Sequence, residues 1–120
     1  MSRGAKAVYL VDKDRRATDV IRSNVKKLTD EDQSRAKIFP VSVLKFFEQN
    51  PTLRFDFIFA DPPYDDVDIK NLLSLGEFIH AEGALTLSIP KQMSGPDLPG
   101  LKLNKTSTYA DARIAFYTKE

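Results

Sequence analysis

The 120-residue chain contains no cysteine and no tryptophan, and its single histidine is His80. Without thiols there is neither a disulfide framework nor a thiolate metal site. One histidine excludes a His-cluster metal centre and a Ser-His-Asp triad, so no metal is expected. The five glycines stand isolated at positions 4, 76, 83, 95 and 100, which leaves no Gly-x-Gly loop to cradle a phosphate. No apolar run approaches the roughly 20 residues that span a bilayer. Met1 to Lys6 is polar and basic, unlike a signal peptide. A soluble, cytoplasmic protein with no membrane partner is expected. Charge of one sign is also lacking overall, at a net +1, but it is unevenly spread. Residues 1–60 carry 12 Lys+Arg against 8 Asp+Glu, and residues 61–120 carry 6 against 9. A polyanion would more naturally meet the first half.

What is present is a hydrophobic content of 42% arranged in alternating patterns. Residues 7–11 form a short, continuous apolar run rich in β-formers, as in a buried parallel strand. Asp14 can cap a helix running to about Leu28, with Ala17, Val20, Ile21, Val25 and Leu28 on one face. Thr29 to Arg35 reads as a loop. Ala36 to Val41 is a second strand, which Pro40 places at an edge or an end. Ser42 can cap a short helix over Val43 to Gln49, broken by Asn50-Pro51. Phe55 to Ala60 is the strongest strand, and Asp61-Pro62-Pro63-Tyr64 must end it because proline cannot continue a central ladder.

The acidic run Asp65, Asp66, Asp68 suits a helix start. That helix is expected to reach His80 or Glu82, with Ile79 on its inner face and Gly83 in the left-handed position after its end. His80 would then be a surface residue complementing the helix dipole. Ala84 to Ile89 is a further buried strand. A loop over residues 90–100 precedes an antiparallel pair, Leu101 to Thr106 and Arg113 to Thr118. The order predicts one α/β domain over residues 1–120, a three-layer sandwich with a mostly parallel sheet. Ligands in such sheets sit beyond the carboxyl ends of the strands. Asp12 and Asp61 are both expected there, on one rim.

Asp-Pro-Pro-Tyr after a buried strand offers a specific chemistry. Two prolines fix φ near −65° and stiffen the loop. The Asp61 carboxylate and the Pro62 carbonyl then form a pair of acceptors with few donors. Such a pair suits a substrate bringing an NH2 group, such as the exocyclic amine of a nucleobase. That nitrogen is a poor nucleophile while its lone pair is delocalised into the ring. Two acceptors on its protons favour the geometry that frees the pair. Tyr64 supplies a flat face on which the base can stack.

An acidic or amide residue, Pro-Pro and an aromatic is a motif of amino-methyltransferases acting on nucleic acids. The longer stretch FDFIFADPPY, Phe55 to Tyr64, is similar to the bacterial 16S rRNA guanine-N2 methyltransferase family. So are SRGA at 2–5, VDKDRR at 11–16 and YAD at 109–111. The resemblance spans essentially the whole chain. It implies a Rossmann-like methyltransferase fold, S-adenosylmethionine as donor, and a guanine of ribosomal RNA, free or in a small-subunit assembly intermediate, as acceptor. It implies Asp61, Pro62, Pro63 and Tyr64 as catalytic residues, and Asp12 with Lys13 at the cofactor ribose. Where the family has an aspartate reading the adenine, this sequence has Val41-Ser42-Val43, which puts Ser42 and Val43 at that position.

The family also has a strand and a glycine-rich turn upstream of Ser2. The resemblance therefore implies an amino-terminally truncated chain, lacking the central strand between those ending at Asp12 and Asp61. Self-association through the strands so exposed is expected. Two alternatives stay open. One is a non-catalytic remnant that binds RNA or a partner chain. The other is a DNA amino-methyltransferase, which shares the motif but usually brings a target-recognition segment.

Overall fold

In the computed structural model the described residues are 5–62 and 72–120. They fall into two compact units, Met1–Pro51 and Thr52–Glu120. In the first unit, β1 (Val8–Val11) pairs in parallel with β2 (Ala36–Phe39), Val8 opposite Ala36 through Val11 opposite Phe39. Helix α1 (Arg15–Val25) connects them, followed by α2 (Asp30–Arg35), and α3 (Val43–Gln49) comes after β2. Strand–helix–strand in parallel is the unit that the alternation predicts.

The helix starts follow from local chemistry. Asp14 caps α1 through a hydrogen bond from the Arg16 amide, and Ser42 caps α3 through one from Lys45. Helix α1 ends at Val25, three residues before the expected Leu28. Its inward face is also turned. Thr18 is fully buried with Ala17, Ile21 and Val25 half-buried, while Val20 is 60% exposed and Leu28 is exposed too. The Thr18 hydroxyl donates to the Arg15 carbonyl at 3.0 Å, so its burial leaves no orphaned donor.

The segment expected to be a loop, Thr29 to Arg35, is instead α2. The Thr29 hydroxyl accepts from the Asp32 amide, and Asp30, Glu31 and Asp32 fill the first turn. A capping threonine followed by acids at the positive end of the helix dipole accounts for it. Glu31 and Arg35 pair one turn apart, near solvent. Around β2, Phe39 stacks on Tyr9 at 5.5 Å and meets Phe46 edge-on at 4.9 Å. These rings form the small apolar centre of the unit.

The second unit holds a four-stranded sheet in the order β3-β4-β6-β5. β3 (Phe55–Ala60) pairs in parallel with β4 (Ile79–Pro90). β4 pairs antiparallel with β6 (Ala112–Lys119), and β6 with β5 (Leu101–Tyr109). Leu85, Leu87 and Ile89 of β4 and Ala115 of β6 have no exposed surface, and Tyr117 almost none. β4 and β6 are the inner strands, and β4 is buried without a break from Leu85 to Ile89, Thr86 and Ser88 included, as a strand covered on both faces is.

The expected helix to His80 or Glu82 is corrected at its end. A 3-10 turn spans Leu75–Phe78, and Ile79, His80 and Glu82 already belong to β4. His80 is thus an exposed strand residue of β4. Gly83 does not take the left-handed position; Glu82 does, at φ 68°. The register jumps between Phe55↔Ile79 and Phe57↔Ala84, so the early part of β4 bulges. Gly83 lies inside that bulge, where a Cβ would stand 2.8 Å from the carbonyl oxygens of Asp56 and His80. Close backbone approach, not a turn, requires the glycine there. Lys119 reaches across to the Gly76 carbonyl.

The stretch between β4 and β5 is tied to β6. Tyr117 donates to the Pro96 carbonyl at 2.7 Å and Arg113 to the Met93 carbonyl at 3.0 Å. The Lys91 amide donates to the Asp111 carbonyl at 3.2 Å. Among the described residues no helix is long and apolar enough to cross a membrane.

Candidate active site

In the first unit, Asp12 directly follows β1, and Pro40 to Ser42 follow β2. Because β1 and β2 are parallel, both connections emerge at the same end of the pair. The Asp12 amide donates to the Phe39 carbonyl at 3.2 Å, which extends the ladder one step and fixes the carboxylate at that edge. Asp12 Oδ1 accepts from the Asp14 amide at 2.8 Å. Its second oxygen has no partner among the described residues. Asp12 is half-buried, and Lys13 beside it is exposed.

Ser42 Oγ accepts from the Lys45 amide at 3.1 Å, so its acceptor side is engaged in capping while its proton stays available for donation. Val43, the first residue of α3, is exposed. The donor set suits the adenosine half of a nucleoside cofactor. A carboxylate oxygen is free for a ribose hydroxyl, and a hydroxyl proton can meet a ring nitrogen. The capping role of Ser42 and the ribose-side role of Asp12 are therefore compatible with a ligand.

In the second unit, Asp61 and Pro62 follow β3 at its carboxyl end. Asp61 is exposed and Pro62 half-buried. The Asp61 carboxylate, an acceptor at a strand end, has no hydrogen-bond partner among the described residues. Just before it, Phe57 and Phe59 share one face of β3 and are 54% and 62% exposed. Pro63 and Tyr64 lie outside the described residues.

Sequence reasoning missed one feature of the first unit. A cleft of about 520 Å³ is lined by Lys13, Arg15, Thr18, Asp19, Arg22 and Pro40. The signal was present in the spacing of positions 15, 18, 19 and 22, which share a helix face, but the apolar periodicity drew attention to the opposite residues.

The family model described as Conserved hypothetical protein 95 matches residues 1–118 of the chain. The Bacillus subtilis (strain 168) protein named "Putative rRNA methyltransferase YlbH" is 26% identical over 125 residues, covering 99% of this chain and 67% of its own length. A "conserved hypothetical protein" of Streptococcus pyogenes matches in structure with a TM-score of 0.84 at 25% identity, over 99% of this chain and 75% of that one. The "Putative methyltransferase yhhF from Escherichia coli" matches with a TM-score of 0.83 at 19% identity, over 99% of this chain and 67% of that one.

Proposed function

We propose a function from one premise: the chain belongs to the family described as Conserved hypothetical protein 95. Its fold is that of the Rossmann-like methyltransferases, with a mixed sheet closed by antiparallel strands. It is a methyltransferase family member, and S-adenosylmethionine is the donor. The finer assignment is N2-methylation of a guanine in 16S rRNA, naked or within a small-subunit assembly intermediate, in the cytoplasm. In this reading residues 1–120 serve as one catalytic domain. The observation that carries it is the Asp61 carboxylate, which has no hydrogen-bond partner among the described residues, followed by Pro62 at the carboxyl end of β3.

When bound, S-adenosylmethionine supplies an electrophilic methyl group. The chain's own residues then have distinct tasks. Asp61 and the Pro62 carbonyl accept the two protons of the guanine amine and turn its lone pair out of conjugation. The proton that the nitrogen sheds leaves along one of those hydrogen bonds. Pro62 and Pro63 hold the acceptors in fixed directions, and Tyr64 stacks the base. Asp12 accepts from the ribose hydroxyls beside Lys13, and Ser42 with Val43 borders the adenine. The outer edges of β1 and β3 pair with no other strand among the described residues, which supports self-association as a second proposal.

Transfer of labelled methyl groups to 16S rRNA, followed by mapping of the modified base, tests the reading. Asp61→Ala should lower methyl transfer by roughly 10²-fold or more, the loss expected on removing one preorganised polar group. Cofactor affinity should hardly change. Methylation at the normal rate by the variant would overturn the role of this loop. RNA binding without cofactor binding or turnover would make the protein a binding module.

A further inference from the structure

Apart from Lys13, which borders the cofactor ribose in the proposed reading, the cleft on α1 is lined by groups that the methyl-transfer chemistry does not use. Lys13, Arg15 and Arg22 line it with only Asp19 opposing them. Asp19 approaches Arg22 at 3.7 Å, with both side chains about half exposed or more. A pair so long and so wet contributes little and leaves the guanidinium free to exchange partners. Lys13 and Arg15 make no ion pair among the described residues. Proteins ordinarily intersperse surface charges of both signs, so three cations sharing one concavity with a single carboxylate leave a local positive excess.

The floor of the cleft is Thr18, fully buried, with its hydroxyl proton already committed to the Arg15 carbonyl. The walls are therefore the only donors. Beyond the cleft the excess continues. Positions 12–28 hold six Lys or Arg (13, 15, 16, 22, 26, 27) against three Asp (12, 14, 19).

The spacing argues for a polymer over a single small anion. Arg15 and Arg22 are seven residues apart on one helix face, a rise of roughly 10 Å at 1.5 Å per residue. A row of cations of that length can take up successive phosphates of a polymer, whose charges are spaced a few ångströms apart along a strand. We propose that the cleft between α1 and Pro40 is a docking site for the phosphodiester backbone of RNA, with Arg15 and Arg22 on separate phosphates. This deepens the RNA-methyltransferase reading and rests on it for the choice of RNA. Phosphate contacts position a nucleic acid without reading its sequence. The cleft would thus hold the RNA backbone without selecting a base.

The test is fluorescence-anisotropy binding of the full chain to two labelled single-stranded RNAs of unrelated sequence, over a range of salt concentrations. Arg15→Gln/Arg22→Gln is compared with wild type and with Arg15→Lys/Arg22→Lys; Lys13 is left intact because it neighbours the cofactor residue Asp12. Titration with S-adenosylmethionine and a far-UV spectrum accompany each protein. The Gln pair is expected to weaken binding of both RNAs by 10-fold or more at low salt. The slope of log K against log salt should fall by about 1.4, roughly 0.7 for each phosphate no longer neutralised. The Lys pair should keep most of both, and cofactor affinity should be unchanged.

Unchanged RNA affinity and slope in the folded Gln pair would overturn the proposal while leaving methyl transfer intact. Loss of RNA binding in the Gln pair, with no methyl transfer by wild type, would sustain the cleft and sink the catalytic reading. Inorganic phosphate is the control anion. Saturable binding of phosphate below millimolar concentration, abolished in the Gln pair and with no RNA binding by wild type, would show a small-anion pocket and overturn the proposal.

Discussion

The two units differ in where their stability resides. Thr52–Glu120 holds nearly every fully buried apolar side chain among the described residues, with β4 and β6 at its centre. Among the described residues of Met1–Pro51 only Phe46 is a buried apolar residue, joined by the hydroxyl-bearing Thr18. The first unit has a two-stranded parallel sheet with four-residue strands, and parallel ladders of that size do not stand on apolar burial of their own. Its surface carries the half-free carboxylate of Asp12 and the cationic cleft. The second unit supplies the rigid sheet that aims Asp61. Apolar burial is thus divided unevenly along the chain, and the candidate groups of the first unit sit on the part with less of it.

The largest break of that comparison should come from the core. Leu87 is 0% exposed on the inner strand β4, and Leu87→Ala should cost about 2–5 kcal/mol. Val20→Ala on the exposed side of α1 should stay within about 0.5 kcal/mol. Urea unfolding measures both. Equal losses at the two positions would mean that the side of α1 carrying Val20 is covered in solution.

Asp12→Ala should act in the opposite way. In the proposed role of ribose acceptor, losing this carboxylate would remove about 1.5–3 kcal/mol of charge-assisted bonding, a 10- to 100-fold fall in cofactor affinity. Folding stability should hardly move, because the Asp14 amide can turn to water. Isothermal titration and a melting curve together decide it. A lower melting temperature with intact affinity would make Asp12 a helix-start residue only.

The smallest expected effect concerns Tyr117. Burial, with the Asp97 carboxylate as a secondary cause, pushes its hydroxyl from 10.0 up to about 12. The folded state therefore binds that proton more tightly than the unfolded chain. The stability this gives is full below pH 10 and is lost as pH rises towards 12. Tyr117→Phe should cost about 1 kcal/mol at pH 8 through the lost hydrogen bond to Pro96. The gap between the two proteins should close as pH rises through 10–12. A gap that stays constant over that range would contradict the burial argument.

Much of the fold was legible because its strands are short apolar runs stopped by recognisable punctuation. Ser42 and Gln49 bounded α3, and Phe55 and Ala60 bounded β3, where the sequence put them. The errors fall where local and tertiary signals compete. Thr29 with three acids is a helix start too short to show apolar periodicity, so α2 looked like a loop. Ile79 fits a helical stripe equally well, but pairing with Phe55 claims it for the sheet. Gly83 fits the left-handed position after a helix end by sequence, but it serves close backbone packing inside β4. At the candidate site, Asp12 and Asp61 were legible as acids at strand ends. The cationic cleft was not, because it depends on which way α1 faces. Pairing of Tyr117 with a carbonyl 21 residues away is a long-range event that no local pattern encodes.

That last hydrogen bond alters how the stretch between β4 and β5 behaves. By composition it is punctuated with Pro90, Gly95, Pro96, Pro99 and Gly100, the kind of segment that is nicked first by proteases. Here Tyr117 and Arg113 anchor its carbonyls, and Leu98 is buried beneath it. Cleavage after Lys91 would require the strap to lift from β6, drawing Leu98 and the Tyr117 hydroxyl into water together. Trypsin should therefore spare this peptide bond until the sheet itself opens, and the amides of Met93 and Leu101, bonded to Pro90 and Leu98, should exchange their hydrogens on the timescale of the core rather than of a loop.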